Sequence, residues 1–381
     1  MWGATGAVAA FGPISIFELS GRESLAAVLL GVYSLSVATG ARLSGRFMDR
    51  AGRRPGLALG YVALGAGGAG AAVAVASGST SALIVAAAVI GAGAGTALLG
   101  RAAVADMYPP ERRGRAVGLV LLAGTIGAVG GPPLAGVIHA AARIAGFDRP
   151  LLVPWLLVPV LATVGLALVL SLRPDPRDLA VGSRAAAARR PLEVLRARTA
   201  MGAVATIAAV QVVMVTFMSV VPVVLHAHHA GELTVSIVVS LHLAGMFALS
   251  SVIGSALDRW GRRTGLLGGL GLSAVGVLLS LGEGTTILPA AGLLLIGIGW
   301  SMAYVGSTAI VSDVAAPAER AGALGLTDLV ASVSAAVGVL SGAALLQATS
   351  LVVLSVAALI LLSGGLGAVV LTRERAVVPA G

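Results

Sequence analysis

The chain contains no cysteine and no lysine. The first absence excludes disulfides and thiolate metal sites and leaves the redox compartment open. The second means that all 25 basic side chains are arginine. Charge of either sign is scarce: 11% of the 381 residues are charged, where an ordinary soluble domain carries about a quarter. Aromatic side chains make up only 4%. What fills the chain instead is apolar, 57% hydrophobic with a mean hydropathy of +1.00. That balance excludes a soluble protein. With about 20 residues per membrane helix, twelve spans leave room for short connections and none for a sizeable soluble domain. The Ala, Gly, Val and Arg bias suggests a GC-rich bacterial genome.

The net charge of +9 does not point to nucleic acid. The arginines fall in short tracts between apolar segments, the pattern of the cytoplasmic side of a membrane protein rather than of a polyanion site. Cutting at charges and turn residues gives apolar segments near 1–19, 25–45, 56–76, 81–105, 116–138 and 151–172, then 200–225, 233–254, 265–282, 286–310, 322–346 and 350–371. Residues 1–172 and 199–381 thus hold six each, and 173–198, which starts Arg-Pro-Asp-Pro-Arg-Asp, reads as a linker with one amphipathic turn. The stretch 1–19 has no charged n-region and no convincing cleavage site, so it reads as a permanent span. Twenty arginines lie on one side of these spans and three, Arg22, Arg143 and Arg149, on the other. The asymmetry puts both termini in the cytoplasm, in a bacterial inner membrane. Arg42 and Arg101 fall within helices.

The sharpest signal is an internal repeat. Gly45-Arg-Phe-Met-Asp49-Arg50-Ala-Gly52-Arg53-Arg54 recurs at an offset of 209 as Gly254-Ser-Ala-Leu-Asp258-Arg259-Trp-Gly261-Arg262-Arg263, identical at six positions in ten. A second pair, Asp106 to Leu119 and Asp313 to Leu326, matches at an offset of 207 and aligns Arg113 with Arg320. Such a tract suits a tight helix–loop–helix corner. Glycine opens backbone angles closed to other residues, and a carboxylate at Asp49 needs an arginine or a neighbouring helix N-terminus to compensate it. The tract is either a gate latch or a topology anchor.

The repeated Gly-x-x-x-Asp-Arg-x-Gly-Arg-Arg resembles the helix 2–3 loop signature of the major facilitator superfamily, and the twelve-span, two-half pattern covers the whole chain. The resemblance implies an all-α membrane protein whose twelve transmembrane helices form two homologous six-helix bundles that rock about a central substrate cavity. It also implies that Asp49, Arg53 and Asp106 form a cytoplasmic charge cluster near the start of helix 11. In helix 5, Gly127-Ala-Val-Gly-Gly131-Pro132-Pro-Leu-Ala135-Gly136 resembles the antiporter signature of drug and metabolite exporters, with Ala135 where glycine is usual. Small residues there would let helix 5 press against helix 8, and Pro132 removes an intrahelical hydrogen bond; a plain small-residue interface reads the same way. The arginine that such exporters carry in mid helix 4 is missing from Ala86-Ala-Ala-Val-Ile-Gly91, and Arg101, lower in that helix, is left to take part of its role or to join the gate.

Ionisable groups at bilayer depth are functional candidates by default. Arg42 precedes Asp49 by seven residues and Asp328 follows Arg320 by eight, so if helices 2 and 11 are neighbours, Arg42 and Asp328 pair and protonation of Asp328 loosens the inner gate. His242, which the repeat maps onto Tyr33, is either a proton carrier, since imidazole titrates near pH 6.5, or a hydrogen-bonded core residue. Glu18, Tyr33 and Gln211 are cavity candidates, as are Trp300 and Tyr304, four apart on one helix face; Thr96 is a weaker one. Three cationic or basic groups against one acid, already paired, favour a neutral or anionic substrate over a cationic one.

Other motifs are set aside. Gly65-x-Gly67-x-x-Gly70 lies inside helix 3 without a preceding strand, so it is not a dinucleotide fingerprint. His226-Ala-His228-His229 reads as a solvated loop rather than a metal site. With no Walker loop, ATP does not drive transport, and no catalytic constellation or cofactor is implied. The sequence reads as a secondary transporter, expected to be monomeric, exporting a drug or metabolite in exchange for protons. Proton-symport uptake of an organic anion or other nutrient is the alternative, and a non-transporting membrane receptor a remote one.

Overall fold

A computed structural model describes residues 2–22, 24–180, 189–227, 232–282 and 285–371. The described chain is helical throughout, apart from its connections. The first sequence half contains α1 (Trp2–Ser20), α2 (Ser24–Ala51), α3 (Arg53–Ser77), α4 (Thr80–Leu98), α5 (Gly100–Met107), α6 (Pro110–Ile144) and α7 (Leu152–Ser171). A 3-10 turn, Pro176–Leu179, and the short α8 (Pro191–Leu195) follow. The second half contains α9 (Arg198–Ala227), α10 (Glu232–Phe247), α11 (Ser250–Trp260), α12 (Arg262–Leu279), α13 (Ile287–Val314), α14 (Arg320–Ala348) and α15 (Leu351–Val370).

Each apolar segment of the sequence is mostly helical over its described residues, with breaks at Leu99 and at Ala248 and Leu249, and several helices outrun the apolar stretch. Thus α2 continues past residue 45 to Ala51 and carries Arg46, Asp49 and Arg50 in its last turns. Among the described residues, eight helices are long and apolar enough to cross a membrane, counting α4 with α5 and α10 with α11 as single spans. The other long helices, α1, α2, α6 and α12, are not among these eight.

The chain divides into two compact units: residues 1–108, 120–188 and 317–333 form one, and residues 109–119, 189–316 and 334–381 the other. In unit 1, Val8, Phe11, Leu29, Leu64, Leu83, Ile90, Trp155 and Val158 share one buried cluster. Its polar edge is satisfied internally, with the Trp155 indole donating to Ser15 at 3.0 Å. Where α3 meets α4, a Cβ on Gly93 would stand 2.7 Å from the Gly60 carbonyl, and where α12 meets α13 in unit 2, one on Gly269 would stand 2.7 Å from that of Gly299. Backbones this close are how membrane helices associate when apolar surface gains nothing by leaving lipid. Ser79 and Ser350 cap α4 and α15 by accepting from the amides of Ala82 and Val353.

Candidate gate and coupling site

The end of α2 and the start of α3 meet at Gly52, whose φ of 110° is open only to glycine, and the equivalent corner of unit 2 turns on Gly261 at 94°. The two tight corners aim their neighbouring charges inward rather than along the helix. In unit 1, Asp49 receives the Ala321 and Gly322 amides at 3.0 and 2.6 Å, so the carboxylate caps the N-terminus of α14. Arg53 binds Asp49 and Asp106, each at 2.7 Å, and donates to the Pro317 carbonyl at 2.6 Å. Arg320 closes the cluster by a second contact to Asp106. Gly45 permits it all, because a Cβ there would collide with the Ala321 carbonyl.

Unit 2 repeats the arrangement with the residues the sequence offsets pair. Asp258 accepts from the Gly114 and Arg115 amides at 2.8 and 2.7 Å and so caps the start of α6. Arg262 binds Asp258 at 2.9 Å, faces Asp313 at 3.4 Å and donates to the Pro110 carbonyl. Arg113 binds Asp313 at 2.6 Å. Gly254 stands in for Gly45, packed against the Gly114 carbonyl. Four side chains therefore recur in four equivalent places, although unit 1 seals its cluster and unit 2 leaves Asp313 part-exposed. Arg50 and Arg259 are exposed beside the two clusters rather than inside them.

Two participants went unread in the sequence. Arg320 ligates Asp106, a role that the 207-residue offset already carried by aligning it with Arg113. Asp175, in the linker, accepts from the Arg53, Arg54 and Arg177 amides at 3.0, 2.9 and 2.9 Å and so caps α3 from outside its own hairpin. Only its Pro-Asp-Pro setting hinted at a fixed turn.

Deeper in unit 1 the expected ion pair has a different partner. Asp328 is bound by Arg101, Nη2 to Oδ1 at 2.6 Å, and Arg101 also approaches the Leu324 carbonyl. Arg42 does not pair with it. The cause is helix register: α14 places Ala321 beside Gly45 and Gly325 beside Ala41, which sets Asp328 about one turn deeper than Arg42. Spacing along each helix does not contain the fixed offset at which the two helices run past one another. The second carboxylate oxygen of Asp328 is buried with no partner among the described residues. Nearby, Thr96 and Ser44 share a hydrogen bond of 2.6 Å.

In unit 2, His242 is fully buried and its Nδ1 lies 2.7 Å from the Leu293 carbonyl, tying α10 to α13; Nε2 is buried without a partner among the described residues. Trp300 donates to the Gln211 side-chain oxygen at 2.7 Å, stacks on Tyr304 at 4.8 Å and meets the edge of Phe247 at 5.9 Å. Tyr33 is nearly buried in unit 1, and Glu18 is exposed at the end of α1. Gly131 and Pro132 lie inside the unbroken α6, their surroundings outside the described residues. Among the described glycines of α6, Gly118 near its start abuts the Ser250 carbonyl, and a Cβ at Gly136 would meet nothing within 4 Å. His228 and His229 lie outside the described residues, among which no group of metal-binding side chains occurs.

Comparison with known proteins identifies the family and the fold. The profile of the Major Facilitator Superfamily matches residues 1–228 and 203–380. The chain is 30% identical over 339 residues to the uncharacterised MFS-type transporter YdeG of Bacillus subtilis, covering 85% of this chain and 78% of that one. It is 26% identical over 318 residues to the riboflavin transporter RfnT of Brucella anthropi, covering 82% and 78%. Among solved structures, a bacterial homologue of the iron transporter ferroportin, in an outward-facing state, superposes with a TM-score of 0.76 at 14% identity over 97% of this chain and 95% of that one. That likeness concerns the fold.

Proposed function

Because the chain belongs to the major facilitator superfamily, a family of multi-pass membrane transporters, we propose that it is a proton-coupled secondary transporter that exports a drug or metabolite by alternating access. On this reading all twelve helical segments span a bacterial inner membrane, 1–172 and 199–381 are two six-helix bundles joined by 173–198, both termini are cytoplasmic and the protein works as a monomer. The two charge clusters are latches on the cytoplasmic side, each holding the N-terminus of a helix by a carboxylate.

The observation that carries proton coupling is the buried Arg101–Asp328 pair, whose carboxylate keeps one oxygen unsatisfied. A proton arriving there neutralises Asp328, weakens its hold on Arg101 and frees the first turns of α14, the same turns that Asp49 caps. Arg101 does in this chain what the missing helix 4 arginine does in related exporters. Export is supported by the helix 5 signature. The substrate lies against Trp300, Tyr304 and Gln211, and with Asp328 already engaged by Arg101 a neutral or anionic molecule fits better than a cation.

A second reading, uptake of a planar nutrient by proton symport, is favoured by the Trp300–Tyr304 stack, a flat apolar face suited to a ring system such as that of the riboflavin named for the Brucella anthropi relative. One experiment separates the readings. Purified protein in proteoliposomes is screened for compounds that move protons; export predicts that substrate entering from the cytoplasmic face drives protons the opposite way, symport that both move together. Proton movement with no compound dependence, or transport indifferent to the pH gradient, overturns the coupling.

A further inference from the structure

The sequence made Arg42 the partner of Asp328, and the structure leaves it without that role. One guanidinium nitrogen of Arg42 is buried with no acceptor among the described residues. Arg46, one turn further along α2, is exposed and makes no ion pair among the described residues. Two like-charged side chains thus stand one turn apart on α2, while Asp49 on the same helix is committed to α14 and Arg53, and Asp328 on α14 to Arg101. A buried donor without an acceptor is uncommon and calls for an explanation, and an acceptor from outside the chain supplies one.

The surroundings say which ligand. The buried side of α2 carries Ala38, Ala41, Gly45 and Met48, while Leu35, Leu43 and Phe47 are 64, 66 and 42% exposed. Large apolar side chains exposed on a membrane helix face acyl chains, whereas a water-filled cavity is lined by polar groups. Arg42 and Arg46 therefore sit where an apolar, lipid-facing strip of α2 runs into the arginine-rich corner of Arg50, Arg53 and Arg54. Guanidinium groups at positions i and i+4 can share one phosphate through parallel charge-assisted hydrogen bonds.

We infer that Arg42 and Arg46 form a binding site for the headgroup phosphate of an anionic phospholipid, whose acyl chains lie along Leu43 and Phe47. The lipid neutralises the like charges of the two arginines and holds the last turns of α2, which present Asp49 to the start of α14. Lipid occupancy thereby stabilises the unit 1 cluster. The site does not depend on what the protein transports, so it stands or falls apart from the transport reading.

The test uses the purified full-length chain in detergent, titrated with phosphatidylglycerol or with phosphatidylcholine, with retained lipid measured by native mass spectrometry and thermal unfolding followed in parallel. Phosphatidylglycerol is expected to bind and raise the midpoint, phosphatidylcholine not. Arg42→Gln with Arg46→Gln should weaken phosphatidylglycerol about thirtyfold, and Arg46→Lys should retain most of the binding. Arg46 is exposed, so Arg46→Gln alone supplies a folded variant if the pair of changes does not. Equal retention of phosphatidylglycerol by wild type and variants overturns the site. So does equally tight binding of glycerol 3-phosphate or inorganic phosphate, which would make it a site for soluble anions.

Discussion

Arg53 and Arg262 hold the same position in two copies of one cluster, yet Arg53 binds Asp106 at 2.7 Å where Arg262 stands 3.4 Å from Asp313. Asp106 is fully sealed, while Asp313 is 31% exposed. Water can replace a lost partner at the second site and not at the first. Asp106→Ala, which removes the carboxylate shared by buried Arg53 and Arg320, should cost about 3–5 kcal/mol, and Asp313→Ala no more than about 1 kcal/mol. Thermal or denaturant unfolding in detergent measures both. Equal losses would mean that the sealed cluster gains nothing from its burial.

Asp328→Asn should abolish coupling to the pH gradient while leaving counterflow of substrate between equal pH compartments. The asparagine keeps a hydrogen bond to Arg101 but cannot take up the proton. Asp328→Glu should restore coupling, with a shifted pH profile. His242 serves as the control, since its ring already bonds to Leu293 and it carries no ionised partner among the described residues. His242→Gln should leave the pH profile unchanged; a flattened profile would move the proton site to α10.

Much of this was readable because the sequence states it twice. The offsets of 209 and 207 pair Asp49 with Asp258, Arg53 with Arg262, Asp106 with Asp313 and Arg113 with Arg320, and these are the side chains that the fold brings together. A residue type that must recur at the same corner of two homologous units leaves a trace that a single sequence can show. Two things left none. The register between α2 and α14 is set by backbone contact at Gly45 and Gly325, so Arg42 was assigned the partner that belongs to Arg101. The cap that Asp175 places on α3 crosses 121 residues to Arg54, and a lone aspartate in a Pro-rich turn does not announce so distant an amide.

The Gly45 contact gives a direct handle on the latch. Gly45→Val puts a branched side chain against the Ala321 carbonyl, and overpacking of this kind costs about 1–3 kcal/mol, enough to speed opening roughly tenfold. Since the chain lacks cysteine, Ala323→Cys, buried at 0% exposure, becomes a clean reporter. A water-soluble maleimide should label it faster in the Gly45→Val background. Unchanged labelling would show that α14 does not leave α2 when the latch opens.

The last prediction concerns Gln211. The Trp300 indole can only donate, so the Gln211 atom 2.7 Å away is its carbonyl oxygen, and the amide nitrogen is left to serve another partner beside the Trp300–Tyr304 stack. If substrate lies on that stack, Gln211→Ala removes a hydrogen-bond donor present in both the bound state and the translocating one. Uniform loss of that kind raises KM and leaves the maximal rate alone. About tenfold in KM is expected, near the 1.4 kcal/mol of one hydrogen bond. Trp300→Phe should keep the ring packing, release the Gln211 oxygen and change KM less than Trp300→Ala, which removes the ring. Transport rates measured over a range of substrate concentration decide it: a fall in maximal rate with KM unchanged would place the cluster in the moving parts of the protein rather than at its substrate.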